Sequence, residues 1–211
     1  MTEQQMAANK QRFMELCNEH IHRDGLDKVL AYLEKSDFYI APSSSRFHLN
    51  EDGGLCLHSI NVFEAACKIY NEMVKPAIMD GTSPFTEEVS MESIAIATLF
   101  HDLCKIKLYH KADRWKKDEN NRWVTYPGYE VKDDFPLGHG EKSCLMLSWY
   151  MRLKPEEMLA IRWHMGMFDM GESGSSLRRS FYAATEKSVL VSIVHSADFL
   201  VSNLWEKTTT Y

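Results

Sequence analysis

The chain has 211 residues, of which 45% are hydrophobic and 26% charged, with only 10 Gly and 6 Pro. This composition is typical of a globular protein and excludes a disordered or fibrous one, and the length suits a single domain, 1–211, better than two. The formal net charge of −6 excludes a protein that attracts a nucleic-acid backbone over its whole surface, although a local basic patch is compatible with it.

The cysteines and the N-terminus indicate a compartment. The five cysteines are irregularly spaced and include no Cys-x-x-Cys pair, which argues against a zinc knuckle or a disulfide framework and favours a reducing environment. The first residues have no apolar core of signal-peptide length, and no stretch approaches the roughly 20 apolar residues of a membrane span. We therefore expect a cytoplasmic protein that has no membrane partner.

The N-terminal part of the chain is predicted to be helical. Apolar residues recur near helical spacing over residues 3 to about 22, and a second short helix is predicted over 26–33. Turn-forming residues dominate 36–52, which is therefore predicted to be a loop leading to a helix that starts near Gly54. Residues 1–50 are expected to form a helical layer on a core that spans 53–203.

The rest of the chain alternates helices with one insertion. A polar break at 75–84 is followed by Thr86 and two acidic residues, which are typical of a helix N-terminus, and this helix is predicted to run through residue 103. Aromatic residues interleaved with charges over about 107–135 predict a β-hairpin or an ordered surface loop. Helical periodicity returns over 138–151, 155–167 and 184–205, with a Gly/Ser-rich loop at 170–180. The predicted fold class is thus all-α with a small insertion.

The pair His101-Asp102 is the main anomaly in this pattern. It follows the apolar run Ile-Ala-Ile-Ala-Thr-Leu-Phe, so it is predicted to be buried. An ionised carboxylate in a protein core is costly unless it is hydrogen-bonded, ion-paired or bound to a metal. Asp198 interrupts a second apolar run near the C-terminus and raises the same requirement. Two buried carboxylates on separate helices therefore need partners.

Histidines on three other predicted helices, His58, His139 and His164, are candidate partners. Neutral imidazoles and carboxylates are the ligands of divalent ions such as Mn, Fe, Co, Ni, Zn or Mg, and an Asp can bridge two ions. One histidine alone is more often a hydrogen-bonded residue than a ligand. It is the joint pattern that favours a metal site.

The order and spacing of these residues resemble the HD superfamily of metal-dependent phosphohydrolases. The most specific parts are Gly-Gly-x-x-x-His, which ends at His58, and His-Asp-x-x-Lys, which ends at Lys105. The resemblance covers about residues 53–203 and implies an HD-domain helical bundle around a metal centre. It further implies one or two divalent metal ions, for which the matching ligands are His58, His101, Asp102, His139, His164 and Asp198.

Within that set the resemblance implies a division of roles. The basic single-metal site of the family matches His58, His101, Asp102 and Asp198. The two additional histidines of two-metal members match His139 and His164, and in those members the Asp of the pair bridges the ions.

The layout is also similar to the HD domain of a bacterial 3′-5′ exoribonuclease family, which has a hairpin-like segment between the pair and the next His. That family carries an additional OB domain that binds nucleic acid, and this chain has no room for one. Processive RNA degradation is therefore not expected. The main expectation is a small phosphorylated substrate such as a nucleotide, with a short single-stranded nucleic acid left open as a partner.

The implied chemistry assigns roles to Asp102 and Lys105. A divalent ion lowers the pKa of bound water enough to supply hydroxide near neutral pH, and it offsets charge on a phosphoryl oxygen. Asp102 is expected to be catalytic through this centre. Lys105 lies three residues later, where a continuing helix would place it on the same face, and it is expected to bind the substrate during catalysis. The alternative for Lys105 is a structural ion pair.

Three more residues are candidates for substrate binding. His195 precedes Asp198 by three residues and shares its helical face, so it is expected to contact the substrate or to orient Asp198. Arg178 and Arg179 follow the Gly/Ser-rich loop and could close on a phosphate as a lid. Six basic residues lie over 105–117 against one acid, a cluster that either attracts an anionic substrate or forms a solvated hairpin.

The expected function is that of a metal-dependent phosphohydrolase or phosphodiesterase that acts on a nucleotide or another small phosphoester. A second hypothesis is an HD-fold di-iron oxygenase, because its ligand pattern is similar and spacing does not separate the two. A third is a nucleotide-binding regulatory module without turnover, against which the intact ligand set speaks.

Overall fold

The computed structural model describes residues 1–169 and 175–206. Helices account for 58% of the chain and strands for 9%, and the strands of the described part form a two-stranded sheet. This confirms the predicted mainly helical fold with a small β insertion.

Three helices build the N-terminal third: α1 (Glu3–His20), α2 (Leu26–Glu34) and α3 (Gly54–Ile69). Their positions agree with the prediction. α1 begins with a capping box, in which the Thr2 side chain accepts the backbone N–H of Gln5 and the Gln5 side chain accepts the backbone N–H of Thr2.

The start of α3 depends on two glycines. Gly53 has a φ of 82°, a left-handed conformation that favours glycine. A Cβ at Gly54 would lie 2.1 Å from the carbonyl oxygen of Leu49, so a larger residue would push the preceding loop away. This loop, residues 35–53, is therefore held close to the beginning of α3, where His58 lies.

The predicted polar break at 75–84 is helical over its first half. A π-helical segment (Tyr70–Val74) continues α3 and leads into α4 (Lys75–Met79). Pro76 lies in the first turn of α4, which directly follows the π-helical segment, and the backbone remains helical through it to Met79.

The next helix, α5 (Met91–Leu99), is shorter than predicted at both ends. It starts after Ser90, whose hydroxyl accepts the backbone N–H of Ser93 at 3.1 Å, and not at Thr86. It ends at Leu99, since Phe100 has φ −119° and ψ 8°. The prediction of one helix through residue 103 was wrong, and the His101-Asp102 pair instead lies in a turn before a 3₁₀ helix (Leu103–Lys105).

The insertion is a β-hairpin. β1 (Tyr109–Lys117) pairs antiparallel with β2 (Trp123–Val131), from Tyr109 opposite Val131 to Lys117 opposite Trp123. Of the two predicted forms of this segment, the structure has the hairpin.

Helices dominate again after the hairpin. They are α6 (His139–Ser148), α7 (Pro155–Arg162), a 3₁₀ helix (Gly166–Asp169), α8 (Ser175–Lys187), α9 (Val189–Leu200) and a π-helical segment (Val201–Trp205). Of the loop predicted at 170–180, residues 170–174 lie outside the described residues. Residues 175–180 are helical, so Arg178 and Arg179 belong to α8.

The helices pack around α3 and α9. α3 contacts α1, α5 and α9, and α7 contacts α5, α6 and α9. Apolar side chains from these helices, among them Phe13, Val62, Ile96 and Val194, are fully buried in one cluster. Each buried side chain of this kind contributes roughly 1.5–3 kcal/mol. The packing brings the beginning of α3, the end of α5, the end of α7 and the middle of α9 together.

None of the helices in residues 1–169 and 175–206 is by itself long and apolar enough to cross a membrane. The pair Ser176–Lys187 and Val189–Trp205 passes this test only jointly, by length and composition, and it is bent by 111°.

Candidate metal centre

Two histidines are positioned by the same local structure. His101 follows the last residue of α5 by two positions, and His164 follows the last residue of α7 by two. Each donates its Nδ1–H to the carbonyl oxygen three residues earlier, that of Thr98 (2.6 Å) or of Ile161 (2.7 Å). Because a carbonyl oxygen only accepts, these bonds assign the proton to Nδ1 and direct Nε2 to the centre.

His58, on α3, is positioned by a carboxylate. Its Nδ1 lies 3.0 and 3.1 Å from the two carboxylate oxygens of Glu206, which also accepts a hydrogen bond from Asn61 Nδ2 at 2.9 Å. The opposite nitrogen, Nε2, lies 3.2 Å from Asp198 Oδ1. Glu206 therefore orients the His58 ring, as a carboxylate behind a metal-binding imidazole does.

Asp102 lies between two sets of imidazoles. Its Oδ2 is 2.6 Å from Lys105 Nζ and 3.3 Å from His101 Nε2. Its Oδ1 is 2.8 Å from His139 Nε2 and 3.4 Å from His164 Nε2. The two oxygens of one carboxylate thus face different histidines.

His139, the first residue of α6, has a sulfur neighbour. The Sγ atom of buried Cys104 lies 3.3 Å from His139 Nδ1 and 3.5 Å from its Nε2. Ligand atoms of these two residues and Asp102 all lie within 4.8 Å of one another. Cys104 therefore adds a thiol to a centre otherwise made of nitrogen and oxygen donors.

The arrangement of the imidazole nitrogens fits a metal ion. His58 Nε2 and His101 Nε2 are only 3.2 Å apart, although both rings use Nδ1 as a hydrogen-bond donor. Two lone pairs at this distance repel unless a cation or a proton lies near them. His164 Nε2 is buried without a hydrogen-bond partner among the described residues. The structure thus brings together buried groups that can hold a metal ion, and it places all six predicted ligands among them: His58, His101, Asp102, His139, His164 and Asp198.

Protons compete for two of these imidazoles. Burial lowers the pKa of His58, but the carboxylates of Glu206 and Asp198 outweigh it and raise the pKa to about 10. Burial also lowers the pKa of His139, but Cys104 and Asp102 outweigh it and raise the pKa to about 9. A metal ion that binds these nitrogens must displace protons, so its affinity rises with pH.

The acidic groups are held ionised. Burial raises the pKa of Asp102, but Lys105 and His101 reverse the shift and hold it well below the usual range. Burial also opposes ionisation of Asp198, where His58 lowers the pKa. Burial lowers the pKa of Lys105, but the Asp102 carboxylate outweighs this effect and raises the pKa above its usual value, so the lysine is charged at neutral pH. The centre therefore holds two carboxylates and one buried ammonium.

A pocket of about 340 Å³ opens onto this centre. Its polar and charged lining comes from Ser43, Ser44, His48, Lys105, Tyr109, His139, His164, His195, Asp198, Ser202 and Asn203. Three phenylalanines complete the wall, and Phe168 and Phe199 stack with ring centroids 6.3 Å apart. Of the basic residues over 105–117, Lys105 lines this pocket, and its ion pair with Asp102 corresponds to the alternative interpretation of its role.

The structure does not bring the two predicted lid arginines to this pocket. Arg178 and Arg179 are exposed on α8 and line a separate surface groove with Tyr182 and Glu186. A substrate contact from them is therefore not part of the site as described.

His195 lines the pocket but does not orient Asp198. It donates Nδ1–H to the carbonyl oxygen of His164 at 2.7 Å. A Cβ at Gly166, where φ is 55°, would lie 2.4 Å from the His195 ring, so only glycine admits this contact. His195 therefore supports the turn that holds His164.

Glu206 and His48 touch the centre but were missed, and both lie outside the predicted core of 53–203. Glu206 directly follows the π-helical segment and has an extended backbone (φ −98°, ψ 139°), so helical spacing from Asp198 does not locate it. His48 lies on the 35–53 loop with its ring centroid 4.9 Å from that of His58. Burial lowers its pKa to about 4. No sequence signal predicts this contact, because the loop conformation sets it.

Comparisons with protein-family models, with curated proteins and with solved structures found no match to this chain. A function for the chain is therefore inferred from its residues and their geometry.

Proposed function

We propose that this protein is a metal-dependent phosphohydrolase of the HD type that acts on a small phosphoester, such as a nucleotide. The observation that carries the proposal is the convergence of four histidines and two aspartates on one buried centre at the floor of a pocket that also holds Lys105. Because the charged Lys105 lines this pocket, the pocket suits an anionic substrate.

The ligand atoms restrict which metal ions the centre would bind. Four imidazoles and two carboxylates favour borderline ions such as Zn, Mn, Fe, Co or Ni over Mg, which prefers oxygen ligands. His58, His101, Asp102 and Asp198 would hold one ion, and His139 and His164 with Asp102 would hold a second. A bound divalent ion supplies an acidic water molecule and offsets charge on the phosphoryl oxygens.

The protein's own side chains have distinct tasks in this proposal. Glu206 and the two backbone carbonyls orient the imidazoles, which removes the need to reorganise them during the reaction. Lys105, charged and buried beside Asp102, attracts the phosphoryl group and balances its charge.

Metal analysis and a paired activity assay test this function. The protein is purified aerobically, its metal content is measured, and phosphate release from a panel of nucleotides is recorded beside oxygen consumption. We expect phosphate release that a chelator abolishes and that Mn, Zn or Co restores. Oxygen consumption without phosphate release would instead favour the di-iron oxygenase. Nucleotide binding with neither activity would favour the regulatory module.

A further inference from the structure

Three buried side-chain polar atoms in residues 1–169 and 175–206 have no hydrogen-bond partner. They are Ser43 Oγ, His48 Nε2 and His164 Nε2. All three residues line the 340 Å³ pocket at the candidate metal centre. Buried polar atoms in native proteins nearly always have a partner, and each exception calls for an explanation. Their concentration in one pocket indicates that the pocket receives a polar ligand.

His164 is accounted for by the metal centre, whereas Ser43 and His48 are not. His48 lies near His58 and Glu206, and their ligand atoms are within 4.8 Å of one another. However, Glu206 already accepts hydrogen bonds from His58 Nδ1 and Asn61 Nδ2, and His48 Nε2 is 3.9 Å from its nearer oxygen. His58 and Glu206 are therefore hydrogen-bonded to each other, whereas His48 is not bonded to either of them. His48 Nε2 remains available to bind a ligand.

Two adjacent serines of the 35–53 loop, Ser43 and Ser44, differ in whether their hydroxyls are hydrogen-bonded. Ser44 Oγ accepts the backbone N–H of Phe47 at 2.7 Å and donates to the carbonyl oxygen of His48 at 3.2 Å, so its hydrogen bonds stay within the loop. The Ser43 hydroxyl has no such bond, although its residue is fully buried and its backbone N–H is fixed to the carbonyl of Leu49 at 3.0 Å. Among the described residues, the loop thus leaves one serine hydroxyl of the pocket lining without a hydrogen bond.

We propose that Ser43 and His48 form, with Lys105, a subsite that binds the phosphoryl oxygens of the substrate and of the phosphate product. A tetrahedral phosphoryl group offers several acceptor oxygens, and hydroxyl and imidazole N–H groups are suitable neutral donors to them. Lys105, which lines the same pocket beside Asp102, supplies the positive charge. The choice of a phosphoryl group as the ligand rests on the proposed phosphohydrolase function. By binding that group, the subsite would determine the class of substrate that the protein accepts.

Binding of inorganic phosphate tests the subsite without turnover. Titration calorimetry on the zinc-loaded protein is compared with that on Ser43→Ala, His48→Asn, His48→Gln and the matched control Ser44→Ala. We expect Ser43→Ala and His48→Asn each to weaken phosphate binding about tenfold, the effect of losing a hydrogen bond to a charged ligand. Zinc content should be unchanged in all variants, because none of these side chains is a proposed ligand.

Thermal unfolding gives a second readout that separates a ligand-binding role from a structural one. Ser43→Ala removes an unsatisfied buried hydroxyl, so the midpoint of the ligand-free protein should rise by about 2–4 °C. Ser44→Ala removes two formed hydrogen bonds, so its midpoint should fall. Opposite signs for adjacent serines support the subsite.

Unchanged phosphate affinity in both Ser43→Ala and His48→Asn would overturn the subsite and leave the metal centre intact. Failure of the wild-type protein to retain any of Zn, Mn, Fe, Co or Ni would instead contradict the proposed function. In that case the same titrations on the metal-free protein still decide the subsite, since Ser43, His48 and Lys105 do not depend on the metal for their position. Absence of phosphate binding in both forms overturns it.

Discussion

Asp102 in the metal centre and Glu157 on α7 are both buried carboxylates, with exposed fractions of 1% and 0%. Both oxygens of Glu157 accept hydrogen bonds from groups of the surrounding fold. Its two oxygens accept from Arg23 Nη1 and Nη2 at 2.6 and 2.9 Å, from Ser93 Oγ at 2.7 Å and from the backbone N–H of Lys154 at 2.8 Å. This region is a closed ion-pair network.

The surroundings of Asp102 are different. Apart from Lys105, its neighbours are imidazole nitrogens that also approach one another, and one of them, His164 Nε2, has no hydrogen-bond partner in the part of the chain that the structure describes. A network whose members satisfy each other stabilises the fold, whereas one with surplus donors and acceptors facing a pocket is suited to binding. The comparison shows that burial of a charge does not by itself indicate function, and that the state of its partners does.

Replacing Asp102 should have the largest effect on function. Asp102→Ala removes the carboxylate that faces both sets of histidines, so we expect metal content and phosphate release to fall to background. Elemental analysis and the activity assay measure this, with Glu157→Gln as the control that should retain metal. Full activity in Asp102→Ala would show that the assigned centre is wrong.

Replacing Glu157 should have the largest effect on stability. Glu157→Gln removes the buried charge to which both Nη atoms of Arg23 donate and leaves Glu92 as the remaining charged partner of the guanidinium, so we expect a loss of about 1–3 kcal/mol in the free energy of unfolding. Urea unfolding measures it. The paired replacement of Arg23 and Glu157 by Met should recover most of the loss, because the one carboxylate that then loses its partner, Glu92, is partly exposed to water. A destabilisation below about 1 kcal/mol in Glu157→Gln would contradict the closed-network interpretation.

The two regions should also differ in their response to pH. The pKa of His58 is raised from 6.5 to about 10 in the folded state, so between these values the folded metal-free protein binds more protons than the unfolded chain. Its contribution to stability is fully present below pH 6.5 and is lost as the pH rises toward 10. We expect urea midpoints in a chelator to fall from pH 7 to pH 9, while zinc affinity rises over the same range. A flat or rising midpoint would contradict the proton-holding centre.

The smallest of these effects concerns Glu206. Glu206→Gln keeps an oxygen that can accept the His58 Nδ1–H but removes the negative charge behind the ring, so we expect metal affinity to fall about 10–100-fold. Competition with a chromophoric chelator measures it. Asn61→Ala, which removes the other hydrogen bond to Glu206, is the milder comparison and should give a smaller loss. Equal affinities in wild type and Glu206→Gln would mean that His58 needs no support from this carboxylate.

Much of the site was predictable from the sequence because its residues break a local pattern. His101, Asp102 and Asp198 stand within or directly after apolar runs, and polar residues in such places need partners that can be sought elsewhere in the chain. Helical spacing located α1 and α2, the turn-forming residues of 36–52 located the start of α3, and aromatic residues interleaved with charges located the insertion that forms the hairpin. The end of α5 was missed, since buried apolar residues continue past Leu99 whether or not the backbone stays helical.

The sequence by itself determined that the protein is mainly helical and that histidines and aspartates are the candidate ligands of a metal ion, because periodicity and burial are local properties of the chain. Only the tertiary structure decided that Glu206 supports His58, that the 35–53 loop brings Ser43 and His48 to the pocket, and that Arg178 and Arg179 lie elsewhere. These relations join residues that are far apart in the chain. Helix packing and loop conformation set them, and no spacing in the sequence records either.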